Sequence, residues 1–348
     1  MPDETVNEDH YISARCQSAA KPLRLKRERI LVTGGSGFIG TNLIAFYLAA
    51  GAEAILNIDI AVPRNSAHNH IWAKVDLRDP EGLRNALHAF RPTAVFHLGA
   101  RTDLDGKTLQ EYSANTDGVT NLISALRELP AQPPTIFASS RLVYEIGHTP
   151  KDPQDYRPTT VYGESKAVGE QRVRSEAHNL PWIMVRPTSI WGPWFDTPYR
   201  DFFETVRSGY YMHPRGRRIL KSYGFVGNSV FALDRLMFAQ FESARSKMLY
   251  LCDYHPLEVR TWADLIANHL QGRRSPNIPV AVLKFAAHLG DVAKRAGIRN
   301  PPLTQFRLRN LLTEMIYDTE ELHSLTGPLP FSLEDSVIIT CAWIKKHG

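Results

Sequence analysis

From Arg29 onward the apolar residues fall into two alternating rhythms. Short, nearly unbroken runs (RILVTG, AILNIDI, AVFHLGA, PTIFASS, WIMVRP) alternate with longer stretches such as FIGTNLIAFYLAAG, PEGLRNALHAFRP, NTDGVTNLISALREL and SKAVGEQRVRSEAHN. The runs suit strands covered on both faces, and the longer stretches suit the helices that cover them. This alternation predicts βαβ units and a doubly wound parallel α/β sheet over residues 29–187. Past Arg186 the rhythm breaks. WGPWFDTPYRDFFETVRSGYYMHPRGRRILK is aromatic, basic and proline-bearing, and reads as an irregular insertion plus a helix. A strand-like MLYLCD and three helical stretches follow: TWADLIANHLQG, VAVLKFAAHLGDVAKRAG (amphipathic, read as packing surface rather than membrane anchor) and the terminal SLEDSVIITCAWIKKHG. Residues 188–348 are therefore expected to form mainly a smaller C-terminal substrate lobe, with segments near 221–254 returning to the core. Residues 1–28 are polar, first acidic and then basic. They lack the apolar h-region of a secretory signal and read as a mobile tail.

Composition narrows the classes. A chain of 348 residues with 43% hydrophobic content can bury one large core and a smaller lobe. The net charge of +5 fits an anionic substrate and is too diffuse to imply nucleic acid. Three widely spaced cysteines argue against a disulfide scaffold and for a reducing, cytoplasmic setting. No run approaches 18 apolar residues, so no membrane span is expected. His68 and His70 have no third ligand in sequence reach, and no metal site is expected.

The first strand runs into TGGSGFIG, which sets Gly34, Gly37 and Gly40 between a strand and a helix. That context suits a dinucleotide pyrophosphate, because glycines let the helix-start N–H groups approach it closely. The next strand ends at Asp59, placed to accept hydrogen bonds from an adenosine ribose and to repel a 2′-phosphate, so NAD is expected rather than NADP. VDLRD places Asp76 and Leu77 where an adenine edge can be held, although a turn or cap role for Asp76 is also open. In YGESK, Tyr162 and Lys166 stand four positions apart, one turn along a helix face.

TGGSGFIG, Asp59, VDLRD, VFHLGA, NTDGVTNL, SSRLVYE, YGESK and VRPTSIWGP together resemble the extended short-chain dehydrogenase/reductases. Within that family the chain is most similar to the NAD-dependent epimerase/dehydratase branch, whose members act mostly on nucleotide sugars. The resemblance implies a Rossmann core, a catalytic set of Ser140, Tyr162 and Lys166, and usually a homodimer. It places Phe38, Ile39, Leu98, Gly99, Ala100 and Pro187 along the dinucleotide, Ser139 beside the nicotinamide, and Lys166 on its ribose. A phenol near pKa 10 is a poor base at neutral pH, and a neighbouring ammonium is expected to favour phenolate.

The chain also departs from the family. Arg141-Leu142 stand where dehydratases carry Asp-Glu, so the acid and base for water elimination are missing. Ser189 replaces an Asn, and Gly227-Asn228 replace an acidic pair. At the substrate end Thr102, Asp103, Ser140, Ser189, Trp191, Arg215 and Lys221 are candidates. Lys221 aligns near a phosphate-binding Arg, while a solvated basic face is the other reading of HPRGRRILK. Trp191, Trp194, Phe195 and Tyr199 either wall a sugar or base pocket or pack in the core. The expected function is NAD-dependent epimerisation of a nucleotide sugar, a small-molecule substrate, at C4. The alternatives are a net ketosugar reductase, a hydroxysteroid-type dehydrogenase, and a non-catalytic NAD-sensing protein. No nucleic-acid or membrane partner is expected.

Overall fold

The computed structural model describes residues 8–19, 27–273, 275–298 and 303–347. The chain opens with helix α1 (Glu8–Ala19) and enters the sheet through β1 (Arg29–Thr33), α2 (Phe38–Ala49), β2 (Ala54–Asp59) and β3 (Trp72–Lys74). It continues through α3 (Pro80–Phe90), β4 (Ala94–His97), α4 (Ser113–Arg127), β5 (Thr135–Ala138), α5 (Val161–Glu176) and β6 (Trp182–Pro187). Next come β7 (Ser189–Trp191), α6 (Tyr199–Arg207), β8 (His213–Pro214), β9 (Leu220–Lys221), β10 (Tyr223–Phe225), α7 (Val226–Phe238) and α8 (Phe241–Ala244). The chain closes with β11 (Met248–Leu251), β12 (Leu257–Glu258), α9 (Val259–His269), β13 (Asn277–Ile278), α10 (Val280–Arg295), α11 (Gln305–Leu312), α12 (Glu320–Thr326) and α13 (Leu333–His347).

The main sheet has seven strands in the order β3-β2-β1-β4-β5-β6-β11, every pair parallel. Because side chains alternate along a strand, each run feeds two cores. Ile30, Val32 and Phe96 join the apolar layer shared with α2, α7 and the C-terminal segments. Leu31 and Val95 face the opposite layer, built from Leu83, Leu87, Leu122 and Leu126 of α3 and α4. Near-continuous apolar strands follow from this double coverage.

One expectation about the periphery gives way. Within the stretch read as a mobile tail, Glu8–Ala19 is a helix that packs on α2, α7 and α13. Ile12 and Cys16 are buried there, and Arg15 pairs with Asp335 at 3.0 Å. A few isolated positions carry that docking, too few to stand out against a polar background. The rest of that stretch below Arg27 lies outside the described residues. In α10, Leu283 and Ala287 are buried against Leu308 of α11, so this helix packs through one side and leaves its other side exposed. The returning edge strand β11 pairs with β6, and all three cysteines are buried and free.

Candidate active site

Gly34 follows β1 with φ 72°, and a Cβ there would lie 2.6 Å from the backbone of Gly99. The loop is thus pressed against the end of β4 in a way only glycine permits. A Cβ on Gly40 would lie 2.4 Å from Gly34 O, which keeps α2 tight on the turn. Gly37 is the residue before α2, and Phe38 and Ile39 fill its first turn, half-buried. The Thr33 hydroxyl accepts from Gly99 N (3.1 Å) and meets His97 Nδ1 (2.8 Å), fixing the β1 and β4 ends side by side. Asp59 accepts from Ser36 N (3.1 Å) and Ala61 N (2.9 Å), so its carboxylate is pinned against the glycine loop. These features form a cradle at the carboxyl ends of the strands, with Leu98, Ala100 and Pro187 continuing along the edge. Asp76 turns to Arg78 (2.6 Å), whose hydrogen bonds hold its carboxyl below the usual range, while Leu77 is buried.

Beside this cradle, the start of α5 is driven against the turn after β5. Thr160 caps the helix by accepting from Gly163 N (3.0 Å). A Cβ on Gly163 would lie 2.1 Å from Leu142 O, so the glycine inside Tyr162-Gly-Glu-Ser-Lys166 lets the two segments touch. This brings the Ser140 hydroxyl beside the Tyr162 phenol, close enough to lower its pKa. Ser140 also accepts from Leu142 N (3.1 Å), which fixes its rotamer. Asn115 of α4 clamps the far side: it donates to Ser165 Oγ (2.9 Å) and Arg101 O (2.9 Å) and accepts from Arg101 N (2.8 Å). Within NTDGVTNL nothing singles Asn115 out, because its partners are 14 and 50 positions away.

The electrostatics differ from the expected ammonium-assisted phenol. Burial pushes the Tyr162 phenol up, while the Ser140 hydrogen bond and the Arg141 charge pull it down. Lys166 is not among the groups that move it. Its Nζ donates to Ala138 O at 2.7 Å, and burial brings it down to about 8 against the opposing charge of Glu170. The cation facing the phenol is Arg141, at the position where the family's dehydratases carry an acid. Arg141 has the Tyr199, Tyr223 and Tyr317 phenols for neighbours, which raise its pKa. In sequence, Arg141 registers only as a missing carboxylate.

Behind the site lies a buried ion pair, Glu170 with Arg186 at 2.6 Å. Glu170 also accepts from Ser139 Oγ (2.5 Å) and Tyr156 Oη (2.9 Å). Ser139 therefore spends its hydroxyl on the interior network. Arg186 further donates to Pro153 O (2.6 Å) and lies 4.7 Å from the Tyr144 ring centre.

The substrate candidates separate. Ser189 is buried and receives a hydrogen bond from Tyr199 Oη. Trp191 is fully buried among Phe203, Phe225 and Trp262, with ring centres 5.3–5.7 Å away, and leaves no face for a ligand. It is core. Thr102 and Asp103 are exposed, and Asp103 is taken up by Arg101 at 2.8 Å. Arg215 is exposed on the loop after β8. Lys221 is buried, not part of a solvated basic face. Its Nζ donates to Asn310 O (2.6 Å) and to Thr313 O, capping the end of α11. Burial, with Arg141 nearby, brings Lys221 down to about 7. Asn228 explains its own departure: it donates to Asp253 Oδ1 (3.0 Å) and Phe331 O (3.0 Å) and accepts from Phe331 N (3.1 Å). Among the described residues no cluster of three His, Cys, Asp or Glu side chains is placed to hold a metal.

The family model described as NAD dependent epimerase/dehydratase family matches residues 30–210. The chain is 28% identical to a 3-beta-hydroxysteroid dehydrogenase of Mycolicibacterium neoaurum, over 91% of this chain and 95% of that one. It is 27% identical to the N-acetyl-alpha-D-glucosaminyl-diphospho-ditrans,octacis-undecaprenol 4-epimerase of Escherichia coli O157:H7, over 92% and 96%. The structure of Thermus thermophilus UDP-glucose 4-epimerase in complex with NAD shares the fold at TM-score 0.68 and 21% identity, over 91% of this chain and 98% of that one.

Proposed function

Because this chain belongs to the NAD dependent epimerase/dehydratase family, we propose that it is an epimerase that inverts C4 of a nucleotide-activated sugar through a transient keto sugar. The glycine cradle and Asp59 would hold NAD, which when bound would supply hydride acceptance and return. The chain's own residues manage the proton. Tyr162 Oη takes the proton of the reacting hydroxyl and gives it back to the keto oxygen, while Ser140 Oγ holds that oxygen in reach. Lys166, anchored on Ala138 O, stands one helical turn along and orients the ribose end of the cofactor.

The observation that carries this reading is the placement of the Ser140 hydroxyl beside the Tyr162 phenol, next to Arg141-Leu142. The two hydroxyls supply the proton-transfer pair, and the neighbouring residues withhold the acid and base that water elimination needs. Arg141 brings positive charge to this end of the site and supports an anionic substrate such as a sugar diphosphate. A second reading, net oxidation or reduction of a lipophilic alcohol, is favoured by the hydroxysteroid dehydrogenase relative, which aligns over nearly its whole length.

The test is incubation with a panel of nucleotide sugars without added NADH, following reduced-cofactor absorbance and then separating the sugars. Interconversion of C4 epimers with no net NADH is the expected result. Stoichiometric formation or consumption of NADH transfers the assignment to the second reading.

A further inference from the structure

Helix α10 turns an apolar stripe to solvent. Val282, Phe285, Leu289 and Val292 keep 54, 66, 52 and 48% of their surface exposed. Their spacing of three, four and three places them along one side of the helix. The buried side is a different one, set by Leu283 and Ala287, so the stripe is not the edge of the core contact. Leu289 also lines a cavity of about 500 Å³ between α6, α10 and α11, together with Ile298, Tyr210, Met212, Leu303 and Leu311. Ile298 and Tyr210 are themselves 57 and 76% exposed, so the apolar surface runs from the stripe into the hollow. The arm that carries it is closed tightly on itself, since a Cβ on Gly290 would lie 1.8 Å from Leu303 O.

Charge says what covers this surface. Lys284, Lys294 and Arg295 project from α10, and Arg309 from α11, all exposed. The acid within these two helices is Asp291, which accepts from Gln305 N at 3.4 Å. A second copy of the chain laid across the stripe would set these cations against their own counterparts. An apolar stripe flanked by lysine and arginine instead complements an anionic lipid surface, where the stripe enters the acyl boundary and the cations meet headgroups. The geometry points to α10 and α11 as a docking arm for an anionic bilayer surface, with the hollow beneath the stripe open to a hydrocarbon chain. No helix of the described residues is long and apolar enough to cross a membrane, and such docking requires none.

The experiment is flotation of the full chain with vesicles of phosphatidylcholine alone and of phosphatidylcholine mixed with phosphatidylglycerol, with no sugar present. The chain is expected to float with the mixed vesicles, to do so less with the neutral ones, and to release on addition of salt. Phe285→Ser and Val292→Ser together are expected to weaken vesicle binding about ten-fold or more, since each removes a large apolar side chain from the inserted stripe. Circular dichroism and NAD binding of this variant remain as in the parent, because both positions are exposed and remote from the cradle. Three results overturn the proposal: no binding to either vesicle, binding indifferent to the double substitution, or sedimentation velocity in which the substitution dissolves a self-associated form. The last assigns the stripe to an interface between copies.

Discussion

Tyr162→Phe removes one oxygen from the site and leaves the cradle, Ser140 and Lys166 in place. Turnover is expected to fall by about two to four orders of magnitude, the usual worth of a positioned acid–base group. The NAD dissociation constant measured by fluorescence should stay close to that of the parent; near-native turnover on the true substrate would end the assignment. Arg141 gives a second, independent handle on the same phenol. Its charge opposes the upward push of burial, so removing it in Arg141→Met must raise the Tyr162 pKa. A base with a raised pKa is deprotonated only at higher pH, so the rising limb of the pH–rate profile moves to higher pH. An unmoved limb would show that Arg141 does not act on Tyr162.

At the scale of one element, α5 shows what its sequence can and cannot reveal. Tyr162 and Lys166 declare themselves through residue type and spacing, and the glycine loop through its place between strand and helix. Of the partners of α5, Ser140 is legible only through the family resemblance, and Asn115 and Arg186 are not legible at all, because they come from elsewhere in the chain. Ser140 reaches it from the β5 turn, Asn115 from α4, and Arg186 from β6. The same limit makes Trp191 read as a ligand wall and Lys221 as a phosphate contact. Aromatic and cationic residues carry the same composition whether they face a substrate or an interior carbonyl. Amphipathic periodicity reveals α10 as a helix but cannot say that none of the described residues covers its apolar stripe. The element-scale test is Glu170→Gln. Glu170 and Arg186 are fully buried, and breaking such a pair while leaving one charge behind costs about 3–5 kcal/mol. Urea unfolding measures this, and a loss below about 1 kcal/mol, in the range of a surface ion pair, would contradict the network described.

For the whole molecule, the two cores share one sheet, and the α2–α7 side holds a carboxyl with an unusual protonation preference. Asp234 is buried beside Tyr47, whose hydroxyl lies outside good hydrogen-bond geometry. Burial raises Asp234 from its ordinary 3.8 to about 7. Folding thus favours the neutral form. The stability this group contributes is complete below its unfolded pKa, declines as pH rises between about 4 and 7, and is gone above. Asp234→Asn should therefore gain in melting temperature relative to the parent as pH rises across that window, and a constant difference by calorimetry would refute the assignment. Helix α1 belongs to the same side. Cys16 Sγ meets Gly227 O at 3.5 Å across 211 positions, and Arg15 meets Asp335 across 320. Helix α2 follows soon after and can receive part of this helix at once, but the α7 and α13 side of its seat is made more than two hundred positions later. Vectorial folding can complete the strands in order as they appear, but this flank closes only when segments far apart along the chain find each other.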